Sequence, residues 1–495
     1  MKKILFVSVI ILLDFTIALG QITFQKTYSG NSFLLTVSLA KIKDGRYVIV
    51  GTTNEGQGNK VYTLITDSAG VLQGTSSDGL NNTDEQGYYV NATRDGGYII
   101  TGYFDNDLSG QKAMLMKVGG NTGWTKSYGV KAGSVGYNET GYYVLQTADN
   151  GYMVVGDTPG GLYLFKTDSM GTQQWSRRIR NVSSTFIQQT ADGNYVTVGT
   201  VTVGSTKSIY ISKITLNGSM LWEKYIPNAA TYYSNTFQET SDKGFIIVGS
   251  INKAASLIKT DSAANYQWAK TYTLSDTISL SSVIQTSDGG FAFTGNNKPF
   301  QHMLLFKTAA DGSAQWAKTY GYSSTYSNAV LQTSDKGYVI NGYTNSEGYL
   351  VKTDSLGNSG CNDSTLNPTV SSPSLTTTVG HTTIDTLGAD STIYFTGGGG
   401  GLENVICYQV SGINKVVQQN SVSVYPNPAS SEFTINANTD DKLIMDLYDV
   451  NGKHVFTKTG YGKSTIDVLN LNAGVYTLTI KLVNQVLNKK LVIFR

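Results

Sequence analysis

Apolar residues through most of this chain come in short runs, bounded by Asp, Gly and aromatic residues. One unit recurs seven times: an Asp, two residues including at least one Gly, an aromatic, then a β-rich apolar run that usually closes on Gly. The copies are DGRYVIVG from Asp44, DGGYIITG from Asp95, DNGYMVVG from Asp149, DGNYVTVG from Asp192, DKGFIIVG from Asp242, DGGFAFTG from Asp288 and DKGYVING from Asp335. A second unit alternates with it, an apolar strand running into KTDSxG: LFKTDSMG ends at Gly171, LIKTDSAA at Ala264 and LVKTDSLG at Gly357, and weaker copies end at Gly70, Gly123, Gly218 and Gly312. Five copies lead into a strand of the type WAKTYG opened by Trp124, Trp175, Trp222, Trp268 or Trp316, which are all the Trp of the protein. Phe24 in FQKTYSG holds the same place near the start.

With the approach strand before each Asp turn, such as AVLQT from Ala329 to Thr333, every copy holds four short strands. Four strands at this period predict an all-β fold, a seven-bladed β-propeller over residues 21–361. The repeats open on the WxKxY type at Phe24 and finish on the KTD type at Thr353. Residues 24–28 are therefore expected to supply the outer strand of the last blade and to remove an open edge. The Asp-x-Gly and DSxG turns fall at one end of the strands, both short and Gly-bearing because tight hairpins need residues that tolerate positive φ. The other two connections vary in length and composition, so function is expected on their rim. A transmembrane β-barrel would need strands of about 9–11 residues in sustained alternation. YVIVG and FIIVG are apolar at successive positions instead, as strands covered on both faces are.

After Cys361 the pattern stops. Residues 362–421 are rich in Ser, Thr and Gly, with five consecutive Gly from Gly397 to Gly401, and read as a linker or loosely structured extension. From Val422 alternation resumes around Asn-Gly and Ala-Gly turns, predicting a small antiparallel β-sandwich over 422–495. Four motifs stand in order there: Tyr425-Pro426-Asn427-Pro428, Asp449-Val450-Asn451-Gly452-Lys453, Leu471-Asn472-Ala473-Gly474-Val475-Tyr476 and Lys489-Lys490-Leu491-Val492. In these the unit resembles the type A C-terminal sorting domain of the type IX secretion system. The resemblance implies that a signal peptide delivers the protein to the periplasm and that this domain carries it across the outer membrane, where it is commonly cleaved and the cargo released or attached to the surface. The repeats also resemble propellers found as cargo of that system.

The first twenty residues fit such a route: Lys2 and Lys3, an apolar run from Ile4 to Leu13, then Ala18-Leu19-Gly20 before Gln21, the layout of a cleaved secretion signal. That run is well short of the roughly twenty residues that span a bilayer, and no transmembrane segment is expected in the mature chain. Cys361 and Cys407, the only cysteines, are a disulfide candidate in an oxidising compartment, two free thiols being the alternative. Lys plus Arg number 37 against 35 Asp plus Glu, so a net charge of +2 gives no field to collect nucleic acid. Three His leave little for imidazole chemistry or a multi-His metal site.

The string TDSMGTQQW from Thr167 to Trp175 resembles both the Asp-box of sialidase-like propellers and the tryptophan docking motif of quinoprotein propellers. Both resemblances imply blade building: Asp168, Asp261 and Asp354 accepting backbone N–H groups in the turn, and Trp packing between blades. Adjacent cysteines or a CxxCH haem site, which would support a quinone enzyme, do not occur. Carboxylates on the variable rim are scattered: Glu55, Asp105, Asp107, Glu139 and Asp157. Asp105-Asn106-Asp107 has residue types that bind Ca²⁺ but lacks the longer EF-hand ligand series; a solvated acidic loop is expected there, with no cofactor or metal site. The better signal is aromatic. Tyr103, Phe104, Tyr137, Tyr232, Tyr233, Tyr322, Tyr326 and Tyr343 lie at or beside the variable loops, and rings with a polar tip suit contact with sugars or protein surfaces, strand-end packing being the alternative. The candidate ligand-binding set is therefore Tyr103, Phe104, Asp105, Asp107, Tyr137, Tyr232, Tyr233, Tyr322 and Tyr326. The expected function is a secreted or cell-surface binding or adhesion module for glycan or protein; the alternative is an exported carbohydrate-active hydrolase or lyase. Converging carboxylates or Arg would favour the enzyme, an aromatic and weakly charged mouth the binder.

Overall fold

Apolar runs with no polar alternation need cover on both faces, and the second strand of each repeat has it: YVIVG and FIIVG are buried at every position. The computed structural model describes residues 21–494 except 30–33, 55–57, 80–82, 106–109, 121–122, 130–137, 231–235, 253, 299–300, 323, 388, 394–395, 399–401, 412–421, 438–441, 451–452 and 482–485. The expected signal segment, Glu55, Asp107, Tyr137, Tyr232, Tyr233 and Gly452 lie outside the described residues. The described residues are all-β, with no helix among them long and apolar enough to cross a membrane. The chain divides into two units after Ser411.

The first unit is propeller-like and holds seven antiparallel sheets. In each, four strands run from an inner to an outer edge. The second sheet, for example, is Asp84–Ala92, Tyr98–Asp105, Lys112–Val118 and Trp124–Gly129. The inner strand of each sheet contacts the inner strand of the next, and that of the seventh contacts that of the first. The seventh sheet takes its outer strand from the start of the chain: Gln21–Ser29 pairs with Glu347–Thr353, Phe24 opposite Lys352, as the phase of the repeats requires.

Two recurring devices hold these sheets. The Asp of six Asp-x-Gly turns takes an ion pair from the Lys of the third strand, as in Lys166–Asp149 at 2.7 Å and Lys307–Asp288 at 2.8 Å. Burial pushes the Asp288 carboxyl up, but hydrogen bonds from Lys307, Thr286 and the Gly290 N–H outweigh it and hold the group at about 2. In the first repeat Ile65 replaces that Lys, and Asp44 pairs with Arg46 instead. The second device joins neighbours. Asp168 accepts the N–H groups of Met170 and Thr172 at 2.9 and 2.7 Å, closing a turn whose Gly171 sits at φ 76°. A Cβ on Gly171 would lie 2.6 Å from the ring of Trp124, in the preceding sheet. Tyr128 of that same outer strand donates to the Gly171 carbonyl at 2.7 Å. Trp316 and Tyr320 repeat this on Gly357, and Phe24 and Tyr28 on Gly70, across the junction between the chain's start and the first sheet.

Residues 362–411 depart from the expectation of a linker or loosely structured extension. They form seven short strands, each added antiparallel to the outer edge of a different sheet. Asp363–Leu366 joins the sixth sheet, Thr369–Ser371 the fifth, Thr378–Val379 the fourth, Ile384–Thr386 the third, Ala389–Ile393 the second, Thr396–Gly398 the first and Leu402–Ser411 the seventh. The segment thus runs round the sheets against their order in the chain. Side chains pin it: Asp385 takes Arg178 at 2.9 Å and Arg180 at 2.8 Å, and Lys270 donates to Ser372 at 2.9 Å. Cys361 and Cys407 are disulfide-bonded, with Cα atoms 6.2 Å apart, so the belt's two ends are joined. The physical reason for the misreading is that an added strand needs N–H and C=O groups, not apolar side chains.

The second unit has a three-stranded sheet, Val422–Tyr425, Glu432–Ala437 and Lys463–Asp467, and a four-stranded sheet, His454–Tyr461, Lys442–Tyr448, Gly474–Lys481 and Val486–Ile493. Phe433 and Ile435 of the first share one buried cluster with Leu443, Met445, Leu478 and Leu491 of the second.

Candidate functional site

Six of the seven inner strands break register at the same step, as between Gly87 and Tyr89 or Gly141 and Tyr143. One residue is left unpaired at each break, a β-bulge that re-aims its side chain. In the second and third sheets that residue is a tyrosine, Tyr88 and Tyr142. In the first and seventh it is Val37 and Asn328. All four line a cavity of about 440 Å³ whose walls come from all seven inner strands.

The cavity is lopsided. Its aromatic lining, Tyr88, Tyr89, Tyr142, Tyr143, Phe186 and Phe237, comes from the second to fifth sheets. The first, sixth and seventh give aliphatic and small polar groups, including Leu39, Ser282, Ile284, Asn328 and Leu331. The rings touch in two runs. Tyr88 lies 5.5 Å from Tyr142 and 6.0 Å from Tyr103 between ring centroids. Tyr143 lies 4.1 Å from Tyr89 and 3.9 Å from Phe186, which meets Phe237 edge-on at 5.4 Å. Among the described residues no Asp, Glu, Lys, Arg or His lines the cavity.

A five-residue unit builds the tyrosine wall twice: Glu85-Gln86-Gly87-Tyr88-Tyr89 and Glu139-Thr140-Gly141-Tyr142-Tyr143. Each Glu is fully buried and takes a Lys from the preceding sheet, Lys60 at 3.1 Å and Lys112 at 3.2 Å. Each Gly permits close approach to that sheet: a Cβ on Gly87 would fall 2.8 Å from the Val50 side chain, and one on Gly141 2.1 Å from Thr101 Oγ1. The tyrosines follow directly, so the anchored Glu and the bare Gly set where the rings go. Burial pushes the Asp157 carboxyl up to about 6, against a hydrogen bond from Tyr142 that pulls it down. Burial also raises the Tyr89 phenol to about 12, so it is uncharged at neutral pH.

Of the aromatic residues singled out by sequence, Tyr103 is buried, beside the Tyr88 ring, and donates to Asp84 at 2.6 Å. Phe104 is buried in the cluster shared by the first and second sheets. Asp105 stands at a strand end opposite Asp84. Tyr326 stacks on Tyr343 at 4.6 Å, and Tyr322 is 66% exposed. None of these lines the cavity. Of the scattered carboxylates, Glu139 is engaged by Lys112 and Asp157 by Tyr142. Among the described residues no group of three acidic, His or Cys side chains could hold a metal ion. Sequence reasoning passed over Tyr88, Tyr89, Tyr142 and Tyr143, although the doublet after Glu-x-Gly occurs in two consecutive repeats and in no other.

In the second unit two of the ordered motifs meet. Asn427 donates to the Lys490 carbonyl at 2.6 Å and accepts the Val492 N–H at 2.8 Å, fastening Tyr425-Pro426-Asn427-Pro428 to the last strand. Tyr476 donates to the Asn472 carbonyl at 2.8 Å beside Gly474, and Asp449 accepts the Lys453 N–H at 3.0 Å. Lys489 and Lys490 are exposed.

A search of curated proteins finds no match to this chain. Similar solved structures include the Dos1 propeller, at 9% identity over 67% of this chain and 95% of that one, with a TM-score of 0.41. Sqt1 from Chaetomium thermophilum is 10% identical over 66% and 98%, with a TM-score of 0.38. Drosophila Semaphorin 1a, extracellular domains 1-2, is 10% identical over 66% and 87%, with a TM-score of 0.39. These are likenesses of outline, and none bears on the cavity's chemistry. One family model matches, described as a secretion system C-terminal sorting domain, over residues 423–494. The end of the chain is thus a type IX sorting tail, which implies export to the cell surface or release from the cell.

Proposed function

We propose that this protein is a cell-surface or secreted seven-bladed β-propeller with a C-terminal sorting sandwich, and that it binds an extracellular glycan or protein without transforming it. The ring reading is supported by the cyclic contacts of the inner strands and by Phe24 and Tyr28 repeating the Trp and Tyr contacts at the junction. The observation that carries the binding reading is the cavity lining: six aromatic residues and, among the described residues, no ionisable side chain other than tyrosine. A glycoside hydrolase of the usual kind needs a pair of carboxyl groups flanking the bond it breaks, and the described lining residues carry none. The aromatic wall instead offers area and hydrogen-bonding tips, the means of recognition.

The test presents the chain from Gln21 to a glycan array and a panel of extracellular proteins, with product analysis alongside. Saturable binding with the ligand recovered intact is expected. Shortened or unsaturated sugars among the products would contradict the reading. For export, removal of residues 422–495 should leave the protein in the periplasm, and unchanged arrival at the surface would refute the sorting role.

A further inference from the structure

Resting on that reading of the cavity, we infer that its ligand is an uncharged sugar, a short glycan or a chain end, whose ring lies on Tyr88 and Tyr142. The volume of about 440 Å³ is near the low end of small-molecule sites, roughly 300–1,000 Å³, and suits a chain end better than a protein surface. The lining selects against charge. An anion brought there would lose water with no Lys or Arg among the described lining residues to meet it.

Other lining residues are set for hydroxyl groups. Gln188 accepts the Glu239 N–H at 2.8 Å, and Gln238 accepts the Gln285 N–H, so both amide oxygens are committed to the neighbouring inner strand. Their NH₂ groups are left as donors at the cavity. Asn328 is turned the other way: its NH₂ donates to the Thr36 carbonyl at 2.6 Å, which leaves its oxygen as an acceptor. Two fixed donors and one fixed acceptor thus share the cavity with tilted rings. A ligand matching both has an apolar face and an edge of groups that donate and accept, as a neutral pyranose has. A quaternary ammonium ion would use the rings and leave the three amides unmatched.

The test uses the full chain from Gln21 in calorimetric titrations. The probes are neutral gluco-, xylo-, manno- and galacto-oligosaccharides, oligogalacturonate, tetramethylammonium and a tyrosine-rich peptide. Binding of at least one neutral oligosaccharide is expected, little changed between 0.1 and about 1 M salt and weakened at least tenfold by Tyr142→Ala and by Tyr88→Ala. Tyr142→Phe and Tyr88→Phe, which keep the rings, should hold the affinity within about threefold and so separate loss of stacking from loss of fold. Failure of every neutral sugar to bind overturns the inference. Binding of the acidic, cationic or peptide probe alone, lost in the Ala variants, overturns the sugar assignment but keeps the cavity as the ligand site. Sugar binding indifferent to both Ala variants overturns both.

Discussion

The inner and outer edges of the same seven sheets are finished in opposite ways. Outside, every last strand receives a further strand from residues 363–411, and Cys361 and Cys407 fasten that belt to itself. Inside, bulges interrupt the first strands and their side chains leave a cavity. An outer edge left bare is a row of unpaired N–H and C=O groups that invites another chain, and backbone alone can cover it. An inner edge that recognises something needs particular side chains. The outer solution therefore tolerates almost any sequence, whereas the inner one is written in a few residues.

Breaking the outer closure should have the largest effect. Cys361 and Cys407 close a loop of 46 residues, and replacing both with Ser should cost about 4 kcal/mol in thermal or denaturant unfolding. A loss under about 1 kcal/mol would mean that the belt holds without its clasp. The inner wall is next. Glu139→Gln leaves Lys112 without its carboxylate and should cost about 3 kcal/mol, with ligand affinity falling because Tyr142 follows the same anchor. Intact affinity would show that the wall stands independently. The junctions between sheets come third. Gly171→Ala meets both a left-handed backbone and the Trp124 ring and should cost about 2–4 kcal/mol. Gly193→Ala, at φ 85° with open space around it, should cost about 1 kcal/mol. Equal losses would remove the Trp contact from the account.

An effect of similarly small size is a matter of pH. Asp157 titrates at about 6 in the folded chain against 3.8 for the free group, so folding favours its protonated form. Its contribution is fully present below about 3.8 and is lost as pH rises through about 6. Asp157→Asn should then melt higher than the native chain at pH 7.5, by about 1–2 kcal/mol after allowance for partial exposure, and the gap should close by pH 4. A gap independent of pH would contradict the burial of that carboxyl.

How much could be read from the sequence follows the same division. The seven Asp-x-Gly turns and the DSxG turns name their own geometry, because only a few residues tolerate positive φ, and they led directly to the repeated sheets and to the pairing of Phe24 with Lys352. The belt was invisible. Thr378–Val379 and Thr369–Ser371 are two and three residues long, too short for any period, and their partners lie about a hundred residues or more away. The candidate site was half legible. Tyr103 was chosen for its place near a loop, and the structure buries it beside Tyr88. Tyr88 and Tyr142 were overlooked because an alternating-strand reading has no place for a bulge, which turns an unpaired residue toward the cavity.

Hydrogen–deuterium exchange on the native, oxidised chain tests the closure of the outer edge most directly. Peptides covering Thr369–Ser371 and Ile384–Thr386 are expected to exchange slowly, alongside the outer strands they pair with, Tyr266–Thr273 and Gln173–Arg180. Exchange of those belt peptides at the rate of an unstructured chain, while the outer strands stay protected, would contradict it.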